Sequence, residues 1–357
     1  MRSTDADVSR HDARTRLNDG EGWRHPASQT RAVRALVTGA AGFIGSHLTE
    51  RLVAEGHVVR AVDCLTPYYD RALKRANLEA LARLPGCEVV EADLRRSDLG
   101  SLLGGIDVVF HQAGQPGTRA SWRDGFAIYV EHNVLATQRL LEAARDVPLG
   151  RFVFASSSSV YGNASAYPTT EDDLPAPHNP YGVTKLAAEQ LCCLYARNWG
   201  LPTVSLRYFT VYGPRQRPDM AVQRLVEAAV DDRSFPVFGD GTQVRDFTYV
   251  DDVVEANLLA AFADVPVGSV VNIAGGASAS LLEVVSIVEE LVGRQVRLER
   301  QPAQPGDVAR TGGLIERAAE LLGWRPQVRL REGLARQIDW HVGQGSGIAG
   351  VMTVTAG

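Results

Sequence analysis

Tyr181 and Lys185 stand four apart in "YGVTK", a spacing that puts both on one face of a helix. An ammonium near a phenol oxygen lowers the phenol's pKa and makes it a usable base near neutral pH. The pattern alone also describes a partly exposed helix face, so its neighbours matter. "SSSSVYG" brings Ser157, Ser158 and Ser159 to the end of an apolar run, and "VTGAAGFIGSH" sets Gly39, Gly42 and Gly45 between a strand and a helix. Gly39 permits a tight turn, Gly42 lets backbone amides approach a pyrophosphate, and Gly45 allows close helix–strand packing. The helix that opens at Phe43 and Ile44 offers its N-terminus to phosphate. Asp63 ends the next apolar run, 18 positions after Gly45. A carboxylate there accepts hydrogen bonds from a ribose diol and repels a 2′-phosphate, so NAD is favoured over NADP. Asp93, followed by Leu94, is either a contact for the adenine edge or a plain surface acid. Gln112 and Ala113, at the end of the fourth apolar run, are expected to line the same cofactor site.

These residues need a scaffold, and the pattern supplies one. "AVRALVTG", "HVVRAVD", "CEVVEAD", "IDVVFHQAG", "RFVFASSS" and "PTVSLRYF" read as six strands, alternating with helices such as "FAIYVEHNVLATQRLLEAARD" and "YGVTKLAAEQLCCLYARNWG". Short β-branched runs between amphipathic helices predict a parallel sheet covered on both faces. The expected fold is α/β, a Rossmann-type doubly wound sheet with a smaller α/β C-terminal domain for substrate. Its expected boundaries are 33–212 for the cofactor domain, with a return segment at about 242–265, and 213–341 for most of the substrate domain. Residues 1–32 are polar and aperiodic, and read as a disordered extension; 342–357 read as a disordered tail.

The chain has 357 residues, 45% hydrophobic and 22% charged, with a net charge of -5. No dense basic stripe points to nucleic acid. No apolar run approaches the ~18 residues of a membrane helix. Cys64, Cys87, Cys192 and Cys193 show no metal-ligand spacing, so no metal is expected and a reduced cytoplasmic location is the simplest reading. His111 and His178 read as strand-end and loop residues without chemistry.

Taken together, the glycine loop, the serine run and the Tyr–Lys pair resemble the extended short-chain dehydrogenase/reductase superfamily, and within it the nucleotide-sugar epimerases. The similarity runs from about Arg34 to His341. It implies that Ser157 binds the sugar O4, Tyr181 is the base and Lys185 binds the ribose. Dehydratases of the superfamily carry an acidic pair where Ser158 and Ser159 stand, which speaks against a 4,6-dehydratase. "PYYDRALKRANL", the serine run and "FTVYGPRQRPDMA" resemble UDP-glucuronate 4-epimerases in particular. The resemblance implies C4 epimerisation of UDP-glucuronate to UDP-galacturonate through a 4-keto intermediate, with NAD retained and a homodimer formed by paired helices. Related decarboxylases typically place a Glu in the serine run.

In this reading Arg217 meets the sugar carboxylate, with Thr210 and the three serines around it; a guanidinium suits a carboxylate as a two-pronged donor. The alternative is a surface or phosphate-binding arginine. Arg215 reads as its solvated neighbour. Arg119 in "QPGTRASW", Arg245 in "QVRDFTYVDD" and Asp307 in "PGDVARTGG" match further substrate contacts of the family. Arg245 would bind the diphosphate, or else pair with Asp246 or Asp251. Competing readings are a UDP-glucose or UDP-N-acetylglucosamine 4-epimerase, a UDP-glucuronate decarboxylase, and an inactive NAD-binding regulator, which the intact Tyr–Lys pair disfavours.

Overall fold

The structure is a computed structural model that describes residues 32–352, with side chains through residue 344. Twelve strands are described: β1 Arg34–Thr38, β2 Val58–Asp63, β3 Cys87–Glu91, β4 Val108–His111, β5 Arg151–Ser157, β6 Thr203–Tyr208, β7 Thr210–Tyr212, β8 Ser234–Phe238, β9 Val244–Tyr249, β10 Ser269–Ile273, β11 Ser278–Ser280 and β12 Arg297–Gln301. Seven form a parallel sheet in the order β10-β6-β5-β4-β1-β2-β3. Chain order reverses between β1 and β4, and a crevice opens there at the carboxyl ends of the strands.

Alternation along the strands builds a core on each face. Ala35 and Val37 of β1 point to one side, with Leu48 and Leu52 of the helix Phe43–Ala54 and Val253 of the helix Val250–Phe262. Leu36 points to the other, with Phe152, Phe154, Leu140 and Cys192. Strands buried on both faces read as continuous apolar runs, which is why β5 and β6 were plain in the sequence.

The helix Pro180–Trp199 carries Tyr181 and Lys185, and its start is fixed locally. Asn179 caps it by accepting from the Gly182 amide at 2.9 Å, Pro180 occupies its first turn, and Gly200 closes it at φ +66°. The helix before it begins at Phe126 and passes through a π-helical stretch, Val130–Leu135, into Ala136–Ala144.

Two expectations need correction. The return into the main sheet runs past 265, because β10 pairs with β6; β9 instead joins β7 and β11 in a small sheet. The final helix, Leu330–Met352, continues beyond His341 through most of the expected tail. The expected N-terminal extension lies, apart from Ala32, outside the described residues.

Candidate active site

The crevice holds two adjoining cavities, of about 200 Å³ and about 580 Å³. Every expected cofactor residue lines the smaller one: Gly39, Gly42, Phe43, Ile44, Gly45, Asp63, Asp93, Leu94, Gln112, Ala113, Tyr181 and Lys185. Gly39 sits at φ +72°, and a Cβ there would stand 2.7 Å from the Ala113 nitrogen, so only glycine lets the two loops close. The helix Phe43–Ala54 starts at Gly42 with no side-chain cap and no acid in its first turn. Its first amides therefore remain available to a phosphate.

Asp63 accepts from the Leu65 amide at 2.7 Å and the Ala41 amide at 3.1 Å. Burial raises its pKa, and the Leu65 amide and the nearby Lys74 pull it back. Asp93 is already held by Arg95, whose Nη2 donates at 2.7 Å. Gln112 turns toward Asn257 and Tyr208, donating to Asn257 Oδ1 at 2.9 Å and accepting from the Tyr208 hydroxyl at 3.2 Å.

Tyr181 and Lys185 stand at the inner end of this cavity. The Lys185 ammonium donates to the Ala155 carbonyl at 2.6 Å, and burial lowers its pKa to about 8. Burial raises the pKa of Tyr181, while a hydrogen bond with Ser157 and the charge of Arg217 draw it down. One Lys185 proton is thus engaged by a backbone carbonyl, while Ser157 and Arg217 counter the burial of the phenol.

All eight expected substrate residues line the larger cavity: Ser157, Ser158, Ser159, Thr210, Arg217, Arg119, Arg245 and Asp307. Tyr181, Arg217 and Tyr68 border both. Four arginines, at 119, 217, 224 and 245, face two aspartates, at 219 and 307, a surplus of positive charge that favours an anionic ligand. Arg119 pairs with Asp307 at 2.8 Å and lies over the Phe238 ring at 3.9 Å. Arg245 donates to the Val244 carbonyl at 2.8 Å, and the alternative ion pairs do not form: Asp251 faces Arg336 at 3.7 Å, and Asp246 accepts from the Gly313 amide. Arg215 is not solvated; it grips Glu50 of the first helix through two bonds of 2.8 and 2.6 Å.

Sequence reasoning missed three participants. Arg217 is paired with Asp219 through Nε and Nη2, both at 3.0 Å; the signal was two residues away. Tyr68 was noted only as part of a motif. Asn133, in the π-helical stretch, accepts from the Gln115 amide at 2.6 Å and donates to Thr184 at 3.0 Å, tying the cofactor-side loop to the Tyr181 helix. The local change of register that turns this buried residue toward the loop leaves no mark in the helical pattern of the sequence.

The family model for NAD-dependent epimerases and dehydratases matches residues 35–274. The chain belongs to the NAD-dependent epimerase/dehydratase family. Its cofactor is NAD, and the glycine turn, the uncapped helix start and Asp63 fit that dinucleotide. Among its relatives in this epimerase/dehydratase family, an uncharacterized UDP-glucose epimerase, YtcB, of Bacillus subtilis is 43% identical, over 86% of this chain and 98% of that one. A UDP-glucuronate 4-epimerase of Thermodesulfobacterium geofontis is 36% identical, over 85% and 95%. The crystal structure of UDP-glucuronic acid 4-epimerase from Bacillus cereus, in complex with UDP-glucuronic acid and NAD, superposes with a TM-score of 0.85 at 42% identity, over 87% and 99%.

Proposed function

We propose that this chain interconverts UDP-glucuronate and UDP-galacturonate by inverting C4 through a 4-keto sugar, with NAD held in the smaller cavity. The observation that carries the reading is the Arg217 guanidinium at the junction of the cavities, close enough to Tyr181 to bias its ionisation, beside three serines and no carboxylate in the serine run. Similar proteins from Bacillus cereus and Thermodesulfobacterium geofontis bear the same activity in their names.

Held by the glycine turn and Asp63, a bound NAD would supply a hydride acceptor and donor for C4, so that no net oxidation would result. The Tyr181 oxygen accepts the proton of the sugar 4-hydroxyl and later gives it back. Ser157, whose hydroxyl draws the phenol's pKa down, steadies the phenolate and holds O4 within reach. Arg217 binds the carboxylate through charge-assisted bonds, with Thr210, Ser158 and Ser159 around it. Arg245, free of any carboxylate at ion-pair distance among the described residues, and Arg119 take the diphosphate.

The keto intermediate is a β-keto acid and loses carbon dioxide if its carboxylate aligns with the carbonyl π system. Neutral hydroxyls at Ser158 and Ser159 put no charge there to drive that reorientation, which favours epimerisation. A homodimer in the cytoplasm completes the proposal. Phe126, Ile128, Leu135, Val183, Leu194 and Trp199 leave apolar surface on two neighbouring helices. Among the described residues no helix is long and apolar enough to cross a membrane.

A second reading, a neutral-sugar epimerase, draws support from the Bacillus subtilis relative. Measuring kcat/KM for UDP-glucuronate, UDP-glucose and UDP-N-acetylglucosamine separates the two. Preference for the uronate by about 100-fold or more, worth roughly 3 kcal/mol of transition-state binding, is expected. Equal use of UDP-glucose would transfer the assignment to the neutral sugar.

A further inference from the structure

We propose that Asp219 and Tyr68 position the Arg217 guanidinium for the acid group of the sugar, an inference that rests on the uronate reading above. Arg217, Pro218, Asp219 and Met220 form a tight turn closed by the Met220 amide on the Arg217 carbonyl at 3.1 Å. Proline in the second position pre-sets that turn, and it brings the aspartate back against the arginine. Asp219 takes one edge of the guanidinium, Nε and Nη2, each at 3.0 Å. Nη1 and the second Nη2 proton have no other protein partner among the described residues. A planar fork held along one edge can offer its other edge, Nη1 and Nη2, to a second carboxylate.

Asp219 is held in turn. The Tyr68 hydroxyl donates to its Oδ2 at 3.3 Å, and the Arg217 guanidinium lies 5.9 Å from the Tyr68 ring centre. Burial keeps the Tyr68 phenol protonated far above neutral pH, with Asp219 adding to the effect, so it stays a donor. Tyr68 is fixed from the other side as well: a Cβ on Gly117 would overlap its hydroxyl. Three loops thus meet at one phenol, those after β2, after β4 and after β7. The Arg217 loop is also anchored at its start, where Arg215 grips Glu50 and His47 contacts the Pro214 carbonyl at 2.9 Å. Anchoring the loop fixes the Arg217 backbone but leaves its side-chain torsions open, and the two bonds to Asp219 restrain them. This gives the "PYYD" segment of the sequence a physical task.

The test is calorimetric binding of two probes, UDP-glucuronate and UDP, to the NAD-loaded enzyme. Asp219→Ala weakens UDP-glucuronate by about tenfold, as expected for losing ordered bonds to a charged group, and moves UDP far less. Asp219→Glu, which keeps the charge, recovers part of the loss, and Tyr68→Phe gives a smaller change in the same direction. Unchanged or tighter uronate binding in Asp219→Ala, or an equal loss for UDP, overturns the inference. Arg217→Ala separates it from its premise. If that variant leaves the preference for UDP-glucuronate over UDP intact, the uronate reading falls and this inference with it. If Arg217→Ala removes the preference and Asp219→Ala does not, only this inference falls.

Discussion

At the residue scale, the chemistry depends on what surrounds one phenol. Burial pushes the Tyr181 pKa up, and Ser157, then Arg217, counter it. Removing the serine hydroxyl takes away a bond to the charged form, so the pKa rises further and the base form becomes scarcer near neutrality. Ser157→Ala is therefore expected to lower kcat/KM at pH 7 by about tenfold or more and to shift the rising limb of the pH–rate profile to higher pH. A loss of activity with an unmoved profile would leave Ser157 as a binding contact only. That Tyr181, Lys185 and Ser157 would line adjoining cavities was legible because their types and spacing are rare together. The bond from the Lys185 ammonium to the Ala155 carbonyl was not legible, since it depends on how the helix packs on β5. Asp219 was overlooked for a related reason: two residues of opposite charge, two apart, meet only because Pro218 bends the chain between them.

At the scale of elements, buried polar groups hold the working parts in place. Glu189, one turn beyond Lys185, pairs with Arg207 of β6 at 2.7 Å and accepts from Ser156 of β5 at 2.6 Å. The helix bearing the base is thereby keyed to the strand bearing the serines, in an interior where removing one partner is costly. Asp246 of β9 is a different case. It is 3% exposed, its Oδ1 has no hydrogen-bond partner among the described residues, and burial raises its pKa to about 6. The folded protein binds this proton more tightly than the unfolded chain does. Stability from this group is thus present below the unfolded carboxylate pKa and is lost as pH rises through about 6, by about 3 kcal/mol at most. Asp246→Asn is expected to melt near the wild-type temperature below about pH 4 and above it at pH 8. A difference that does not change with pH would contradict this account. The six strands of the cofactor half were readable from their apolar runs. The placement of β10 was not, because strand order is decided by packing partners far away in sequence, and the reach of the last helix past Trp340 was hidden by its glycines.

At the scale of the whole molecule, the sheet gathers residues from six strand ends and loops into one crevice. The surface opposite is less settled in water: Leu135 is 46% exposed and Leu194 42% on helices that pack side by side. A homodimer covering them is expected in sedimentation velocity, and Leu135→Glu combined with Leu194→Glu is expected to give a monomer. A wild-type monomer would remove the dimer from the proposal. The general architecture was open to reading because its signals are periodic, whereas the charge surplus of the larger cavity emerges only when distant arginines converge. The most direct test of the central claim is a single incubation of purified protein with UDP-glucuronate carrying deuterium at C4, without added reductant, followed by NMR of the products. The account predicts UDP-galacturonate with the label retained at C4 and no carbon dioxide released. A UDP-pentose with carbon dioxide, loss of the label to solvent, or no turnover of the uronate beside brisk turnover of UDP-glucose would contradict it.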